Sequence, residues 1–390
     1  MQWIFQPVGA RALSAVHLLL AIGVTTHVLL HKRDIGASIG WIGLAWLSPI
    51  LGSVLYVIFG INRVKRRANL LRDRRAAYSA AEACLSFATR DDHLAPLERA
   101  GFRITQRRAE GGNAIVLLNN GDEAYPRMVA AIDAARASVA LSSYIFRADA
   151  AGNAFIAALI GARERGVDVR VLIDGIGAGY FFSPTYRRLQ RGGVPVARFL
   201  HSPLPWRMPV LNLRTHKKIL VVDGRLGFTG GLNIGSENLL RGQPRHPVHD
   251  THFLFEGPVV AQLSEAFAED WFFLTGEQLA GGAWFPPLSE SGSGMARAVI
   301  SGPDQDLEKI ESMILEAIAC ARRSIKVMTP YFLPDDRLIT ALALASMRGI
   351  EVDVVMPERS NHVIMDWAVR AHIGPLIAAG CRVWSRAQTH

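Results

Sequence analysis

A histidine, a lysine and an aspartate follow one another at short spacing near the middle of the chain. His216 and Lys218 precede the apolar run 219–222, Asp223 follows it, and Gly230-Gly231-Leu232-Asn233 comes after six intervening residues. The run predicts a buried strand, and because residues two apart on a strand share a face, His216 and Lys218 point the same way. An imidazole, an ammonium group and an amide in one place suit phosphoryl transfer, as nucleophile, charge clamp and hydrogen-bond donor.

A tight turn would bring the two parts of this pattern together. Asp223-Gly224 stands between two apolar pieces, 219–222 and 226–229, and such a dipeptide is a strong signal for a two-residue hairpin turn. The hairpin would return the glycine-rich segment to the side of His216 and Lys218. The alternative is that the histidine and the lysine are ordinary surface residues on a strand edge.

The complete pattern, H-x-K-x4-D-x6-G-G-x-N, resembles the HKD signature of the phospholipase D superfamily. The resemblance implies an α/β fold with two similar halves, each of which gives one motif to a shared cleft. It also implies ping-pong chemistry, in which one histidine attacks phosphorus and the other protonates the leaving alkoxide. Transition-state charge is then stabilised by lysine and asparagine side chains, so the resemblance implies no metal and no other cofactor.

The same resemblance suggests a role for each residue of the motif. His216 would be the nucleophile, and Lys218 and Asn233 would hold phosphate oxygens. Asp223 would support the site, either by orienting an imidazole or by pairing with Lys218. Further candidates for contact with the substrate are Gly231, Glu237 and Tyr331, the last from the second half of the chain, with simple packing as its alternative.

A second polar group, His249, Asp250 and His252, raises a metal site as one interpretation. The interpretation that we favour is a polar loop that leads into a strand at 252–255, with Asp250 near the pocket. We therefore expect no metal ligand among these residues.

Two long uncharged runs near the N-terminus, 12–30 and 35–61, predict a transmembrane hairpin. A helix of about 20 apolar residues spans a bilayer, and both runs approach or exceed that length. Half of the whole chain (50%) is hydrophobic. A signal peptide and buried soluble helices are the alternatives, and the close succession of two such runs without a cleavage pattern disfavours both.

Basic residues indicate how this hairpin is oriented. The chain has a net charge of +9, and seven of its lysines and arginines fall within residues 62–75, directly after the second run. The positive-inside rule places this cluster in the cytoplasm, where anionic headgroups attract it. Because much of the charge lies there, and no aromatic residues alternate with basic ones, we expect anionic lipid rather than nucleic acid as partner.

Strands and helices alternate from residue 113 onwards, which predicts an α/β fold with a mixed sheet. The predicted strands are 113–118, 138–146, 167–173 and 194–199, and the predicted helices are 124–137, 153–165 and 186–191. The order recurs, since Ile132-x3-Arg136-x-Ser138 matches Ile318-x3-Arg322-x-Ser324 and Arg165-Gly166-Val167 matches Arg348-Gly349-Ile350. We expect a hairpin (12–61), a basic connector (62–112), a first half (113–275), a linker (276–296) and a second half (297–390).

Several shorter motifs resemble the bacterial cardiolipin synthase branch of the superfamily. They include Ser143–Arg147, Asp250-Thr251-His252, Glu256-Gly257-Pro258 and Thr329–Pro334. The resemblance implies a multi-pass enzyme of the bacterial inner membrane with its catalytic part in the cytoplasm. It would make cardiolipin from two phosphatidylglycerols and release glycerol. The alternatives are a phospholipase D-type phosphodiesterase, acting on lipid or nucleic acid, and a catalytically dead membrane protein.

The second half departs from the family pattern. A second H-x-K-x4-D is expected shortly after the predicted strand at 383–384, but the sequence ends at His390. His390 is a candidate for the first residue of that motif, with a coincidental terminal histidine as the alternative. We therefore expect an incomplete second half and impaired activity. The three cysteines are far apart and lack metal-ligand spacing, which predicts free thiols in a reducing compartment.

Overall fold

A computed structural model of the chain describes residues 7–32, 35–61, 93–179, 182–199, 215–301, 309–358 and 363–386. The chain divides into two compact units, one of Met1–Ala81 with Ser202–Leu213 and one of Glu82–His201 with Arg214–His390. Three features of the sequence analysis lie outside the described residues: the basic cluster 62–75, His390 and one of the three cysteines, Cys84.

Helices form the described part of the first unit: α1 (Pro7–His31), α2 (Ile35–Leu47) and α3 (Pro49–Leu55), followed by a π-helical turn over Tyr56–Gly60. In the described part of the chain, α1 is the one helix that is long and apolar enough to cross a membrane. The prediction of two spans assumed that the second uncharged run forms one helix. In the structure this run is divided into α2 and α3. It breaks at Ser48, whose φ of −142° is not helical, because Pro49 cannot donate the hydrogen bond that would continue α2.

Two polar contacts connect α1 to the helices that follow it. His27 Nδ1 lies 2.7 Å from the Tyr56 hydroxyl, and the Trp46 indole N–H donates to the Thr25 hydroxyl at 3.1 Å. Apolar side chains such as Leu29 and Leu30 remain 68% and 73% exposed. This surface fits an apolar environment better than water.

A mixed sheet organises the first half of the second unit. Its elements in chain order are α4 (Ala95–Thr105), β1 (Glu110–Asn119), α5 (Asn120–Ala134), β2 (Ser138–Ser143), α6 (Ala150–Glu164), β3 (Asp168–Asp174), α7 (Pro184–Arg191), β4 (Val196–Phe199), β5 (Ile219–Val222), β6 (Leu226–Gly230), β7 (Thr251–Glu256), α8 (Val259–Thr275) and β8 (Gly294–Ala296). The strand order is β4-β3-β2-β5-β6-β7-β1-β8. The strands β2, β3 and β4 are parallel, and the pairs from β2/β5 to β1/β8 are antiparallel.

Strand β5 is buried on both faces. Leu220 and Val222 pack in one core with residues of α5 and α6, whereas Ile219 and Val221 pack in another with residues of α8. A central strand covered on both sides reads as a continuous apolar run, which is why the sequence shows no alternation here.

The predicted hairpin between β5 and β6 is confirmed. Asp223 and Gly224 both have positive φ, 52° and 62°, and the Arg225 N–H donates to the Val222 carbonyl at 3.0 Å. This is a type I′ turn, whose twist matches that of the flanking strands. Ile219 pairs with Thr229 across the hairpin, so the next pair outward is Lys218 with Gly230.

The second half repeats part of this arrangement. Its elements are α9 (Lys309–Cys320), β9 (Ser324–Met328), α10 (Asp336–Met347), β10 (Glu351–Pro357), α11 (Val363–Ala378) and β11 (Arg382–Arg386). The three strands form a parallel sheet in the order β11-β10-β9, which corresponds to β4-β3-β2 of the first half. In the first sheet β2 lies between β3 and β5. In the second sheet β9 pairs with β10 on one side, and its other side has no strand partner among the described residues.

The predicted linker 276–296 packs on the first half. Leu279 and Trp284 are each only 7% exposed and belong to the core beneath α8. Gly294 pairs with Asn113 of β1. The glycines and serines of this segment therefore belong to an irregular stretch of chain that packs on the first half.

Candidate active site

His216 and Lys218 lie where the chain enters β5, at the same edge of the sheet as the ends of β2 and β3. The Lys218 ammonium donates to the His216 carbonyl at 2.8 Å and lies 3.2 Å from His216 Nδ1. The Tyr144 ring follows β2, with its centroid 4.7 Å from that of His216 and 5.4 Å from Lys218 Nζ. The imidazole and the ammonium are therefore in contact, with an aromatic face beside both.

Burial perturbs both groups of this pair. Lys218 is only 6% exposed, and its desolvation lowers the pKa of its ammonium to about 8, although Asp250 and Asp174 oppose the shift. His216 lies nearer the surface. Even so, partial loss of solvent and the Lys218 charge lower its pKa, while Asp174 raises it. Near neutral pH His216 is mainly uncharged, and Lys218 is mainly charged.

Two glycines make room for two ionisable residues of β7 and the loop before it. Gly230 pairs with His252, and a Cβ at Gly230 would lie 2.8 Å from His252 Nδ1. A Cβ at Gly231 would clash with the carboxylate of Asp250. The Gly-Gly pair of the motif thus allows the Asp-x-His segment to approach Lys218 closely.

Asn233 is held through its oxygen atoms, and its amide N–H2 group has no hydrogen-bond acceptor among the described residues. Its Oδ1 accepts from the Ile145 N–H at 3.1 Å, and its carbonyl accepts from the Tyr125 hydroxyl at 2.7 Å. Tyr125 also accepts from the Asn238 side chain at 2.9 Å. This arrangement is compatible with the predicted role of Asn233 as a donor to phosphate.

Asp223 lies at the other end of the hairpin from His216, and the prediction that it orients an imidazole or pairs with Lys218 is wrong. Its carboxylate accepts from the backbone N–H groups of Arg136, Ala137 and Ser138 at 2.7–3.1 Å. The four residues of β5 lie between the two ends, and each residue of a strand adds roughly 3.3 Å to that distance. Asp223 therefore fixes the turn to the chain that enters β2.

The remaining candidates from the sequence that the structure describes are Glu237, Tyr331 and His249. Glu237 forms an ion pair of 2.8 Å with Arg147. Tyr331 follows β9 and is 40% exposed. His249 is exposed, and no cluster suited to a metal ion occurs in the described ranges.

Three residues near Lys218 were not recognised as site residues from the sequence: Tyr144, Asp174 and His252. Asp174 is fully buried, and its Oδ1 accepts from the Ile176 N–H at 2.8 Å and the Gly177 N–H at 3.1 Å. Asp174 Oδ2 and both ring nitrogens of His252 lack a hydrogen-bond partner among the described residues. The signal for Asp174 was a carboxylate directly after the apolar residues 171–173 at the end of β3. The sequence showed His252 only as part of a polar group, and the pairing of β7 with β6 brings it to the side of Lys218.

Comparison with known proteins identifies the family. The family described as "Cardiolipin synthase, PLD-like domain" matches residues 128–271 and 314–390, which is more than half of the chain. The chain belongs to this family. The predicted resemblance to the cardiolipin synthase branch of the phospholipase D superfamily is therefore confirmed, and both halves of the PLD-like pair contribute to the match.

Relatives of this cardiolipin synthase-family chain match it almost throughout. The cardiolipin synthase of Geobacillus kaustophilus is 33% identical over 369 residues, which are 92% of this chain and 73% of that protein. The major cardiolipin synthase of Bacillus subtilis is 29% identical over 389 residues, 95% of this chain and 79% of that protein. The crystal structure of a Haemophilus influenzae phosphatidylserine synthase shares the fold, with a TM-score of 0.53, 14% identity and coverage of 74% and 77%.

Proposed function

We propose that this chain is a membrane-bound phosphatidyltransferase that makes cardiolipin from two phosphatidylglycerols through a phosphohistidine on His216. The observation that carries the proposal is the contact of 3.2 Å between the His216 imidazole and the buried Lys218 ammonium. It joins a neutral nucleophile to a cation in a chain whose relatives are named cardiolipin synthases.

In the first step, His216 Nε2 attacks the phosphorus of one phosphatidylglycerol. The N–P bond forms, the P–O bond to the headgroup glycerol breaks, and the glycerol oxygen takes up a proton. In the second step, a hydroxyl of the second phosphatidylglycerol loses its proton and attacks the phosphohistidine, which breaks the N–P bond. The products are cardiolipin and glycerol, and His216 is restored.

The Lys218 ammonium has two roles in this scheme. A charged lysine can only donate, so in the ligand-free arrangement His216 Nδ1 accepts its hydrogen and the neutral ring carries its proton on Nε2. A phosphodiester competes for the ammonium, after which the proton can occupy Nδ1 and Nε2 becomes nucleophilic. Lys218 and the Asn233 amide then stabilise negative charge on the phosphoryl oxygens in the transition state.

The proton for the leaving glycerol comes, in this proposal, from a second histidine, for which His390 is the candidate in the second half. Support for it is the correspondence of β9, β10 and β11 with β2, β3 and β4. General acid assistance of this kind contributes about 10²–10⁴-fold in rate. We propose in addition that α1 anchors the enzyme in a bacterial cell membrane, that the second apolar run is also membrane-embedded, and that the sheets lie in the cytoplasm.

Lipid analysis tests this proposal. The full chain is expressed in bacterial membranes that lack other cardiolipin synthases, and lipids are quantified by mass spectrometry with and without His216→Ala. His249→Ala is the matched control, because it removes an exposed histidine. Cardiolipin that depends on His216 supports the proposal. Phosphatidic acid that depends on His216 would instead indicate a hydrolase, and unchanged lipids would indicate a protein without lipid-modifying activity.

A further inference from the structure

Four ionisable side chains form two rows on one face of the first sheet. Lys218, next to β5, and His252, in β7, make the inner row, with Gly230 between them. His216 and Asp250 make the outer row. His216 comes two residues before Lys218, and Asp250 comes two residues before His252, so each lies on the same face as the inner residue that follows it. Because Gly230 has no side chain, the space between Lys218 and His252 is open to the imidazole.

The imidazole of His252 occupies this space. The residue is only 1% exposed, and its Nδ1 lies 2.8 Å from the position that a Gly230 Cβ would take. Neither ring nitrogen has a hydrogen-bond partner within the described chain. The ring is therefore not held by polar bonds of its own, and its position follows from packing over Gly230.

Lys218 is surrounded by charged and titratable groups, but among the described residues it forms no ion pair with a carboxylate. Asp174 at the end of β3 and Asp250 before β7 both attract its ammonium. His216, His252 and Tyr144 complete its surroundings. The Asp250 carboxylate instead accepts from the Thr251 N–H at 2.7 Å and packs on Gly231. Both described hydrogen-bonding contacts of the Lys218 ammonium are with His216.

We propose that His252 is a positioning residue that keeps the Lys218 ammonium at His216 and away from Asp250 by filling the space over Gly230 with a neutral ring. A ring in this place prevents the Lys218 side chain from moving over Gly230 toward β7. It stays uncharged in the physiological range, because burial and the Lys218 charge lower the pKa of His252 to about 4. An uncharged ring can lie near an ammonium without repulsion.

The consequence concerns the phosphoryl group. An ammonium paired with Asp250 would lose much of its attraction for an anionic ligand. An ammonium held at His216 stays available beside the imidazole that attacks. This inference rests on the proposed function only in naming a phosphoryl group as the ligand of Lys218, and the test below uses no lipid.

The test measures the titration of Lys218 directly. The full chain in detergent micelles is treated with cyanate, a small reagent that reacts with uncharged amines, and carbamylation of Lys218 is followed by peptide mass spectrometry against pH. For the original chain, half-maximal reactivity is expected near pH 8. In His252→Ala the ammonium pairs with Asp250, so the midpoint rises by about one pH unit or more. Protection of Lys218 by inorganic phosphate should then require roughly tenfold more phosphate.

Further variants separate this steric role from a general loss of structure. His252→Leu keeps the space filled and should show no upward shift, and His249→Ala should match the original chain. The double variant His252→Ala with Asp250→Asn removes the competing carboxylate, so the midpoint should return to that of the original chain or below. An unchanged midpoint in His252→Ala, an upward shift in His252→Leu, or a rise that persists in the double variant would overturn the inference. If only the proposed function fails, the chain makes no cardiolipin, but the pH titrations of Lys218 carbamylation still have the expected midpoints.

Discussion

Lys217 and Lys218 are neighbours in the sequence, but their ammonium groups lie on opposite faces of the first sheet. Lys217 donates to both carboxylate oxygens of Asp270 in α8 at 2.8 Å, whereas Lys218 contacts His216 on the other face. The two-residue period of a strand separates a structural ion pair from the cation that we propose for catalysis.

Alanine substitution should separate these two roles. Lys218→Ala should slow phosphohistidine formation by about 10²-fold or more, the usual effect of removing a transition-state donor, with little loss of stability. Lys217→Ala removes an ion-pair partner of Asp270 from a site where both side chains are largely buried, 16% and 15% exposed. The free energy of unfolding should fall by about 1.5–3 kcal/mol. Trapping of the phosphoenzyme and chemical denaturation in micelles measure the two effects, and a reversed pattern would contradict the assignment.

The pH dependence of phosphohistidine formation should be bell-shaped. The rate should increase as pH rises through the lowered pKa of His216, because only the neutral imidazole attacks. It should decrease as pH rises through about 8, where Lys218 loses its charge. Lys218→Arg should remove the alkaline limb whatever its absolute rate, since an arginine stays charged throughout the measurable range. An alkaline limb that persists in this variant would assign it to another group.

Asp223 should act on stability and not on chemistry. Asp223→Ala leaves three backbone N–H groups without their acceptor and should lower the free energy of unfolding by about 2–4 kcal/mol. Asp223→Asn keeps an acceptor oxygen and tolerates the positive φ, so it should lose about half as much or less. Activity per folded molecule should change only a few-fold in both. A folded Asp223→Ala chain without phosphohistidine formation would restore the catalytic role that the sequence suggested.

His252 should make the chain sensitive to acid. The pKa of its buried ring is lowered to about 4, so between about pH 6.5 and 4 the unfolded chain binds a proton that the folded chain excludes. Stability should therefore fall as pH decreases through this window, by about 2–3 kcal/mol for this one group. In His252→Gln, this part of the pH dependence should be absent from denaturation curves. An equal acid sensitivity in that variant would show that other groups cause it.

Local patterns in the sequence were sufficient for much of the site. The apolar run before Asp223-Gly224 gave β5, and the dipeptide itself gave the type I′ turn, because both depend on residues close together in the chain. These two features place Gly230 opposite Lys218. The repeat of Ile132-x3-Arg136-x-Ser138 near residue 318 likewise indicated a second parallel sheet like β2, β3 and β4.

Other features of the structure were not predicted, in most cases because they depend on distant partners. The spacing of Asp223 gave its place in the motif but not which end of the hairpin it occupies, and its partners come from the chain before β2. Pro49 is tolerated in membrane helices, so composition did not reveal that the run 35–61 is broken. The glycines and serines of 276–296 concealed Leu279 and Trp284, whose burial depends on α8.

The sequence by itself determined the family of the chain and the pairing of His216 with Lys218, since residues two apart on a strand share a face without any long-range contact. Only the tertiary structure decided which other groups surround the lysine. Asp174 comes from β3, His252 comes from β7, and Asp250 comes from the loop before β7. Strand order and register bring these residues to one sheet edge, and neither can be read from the spacing along the chain.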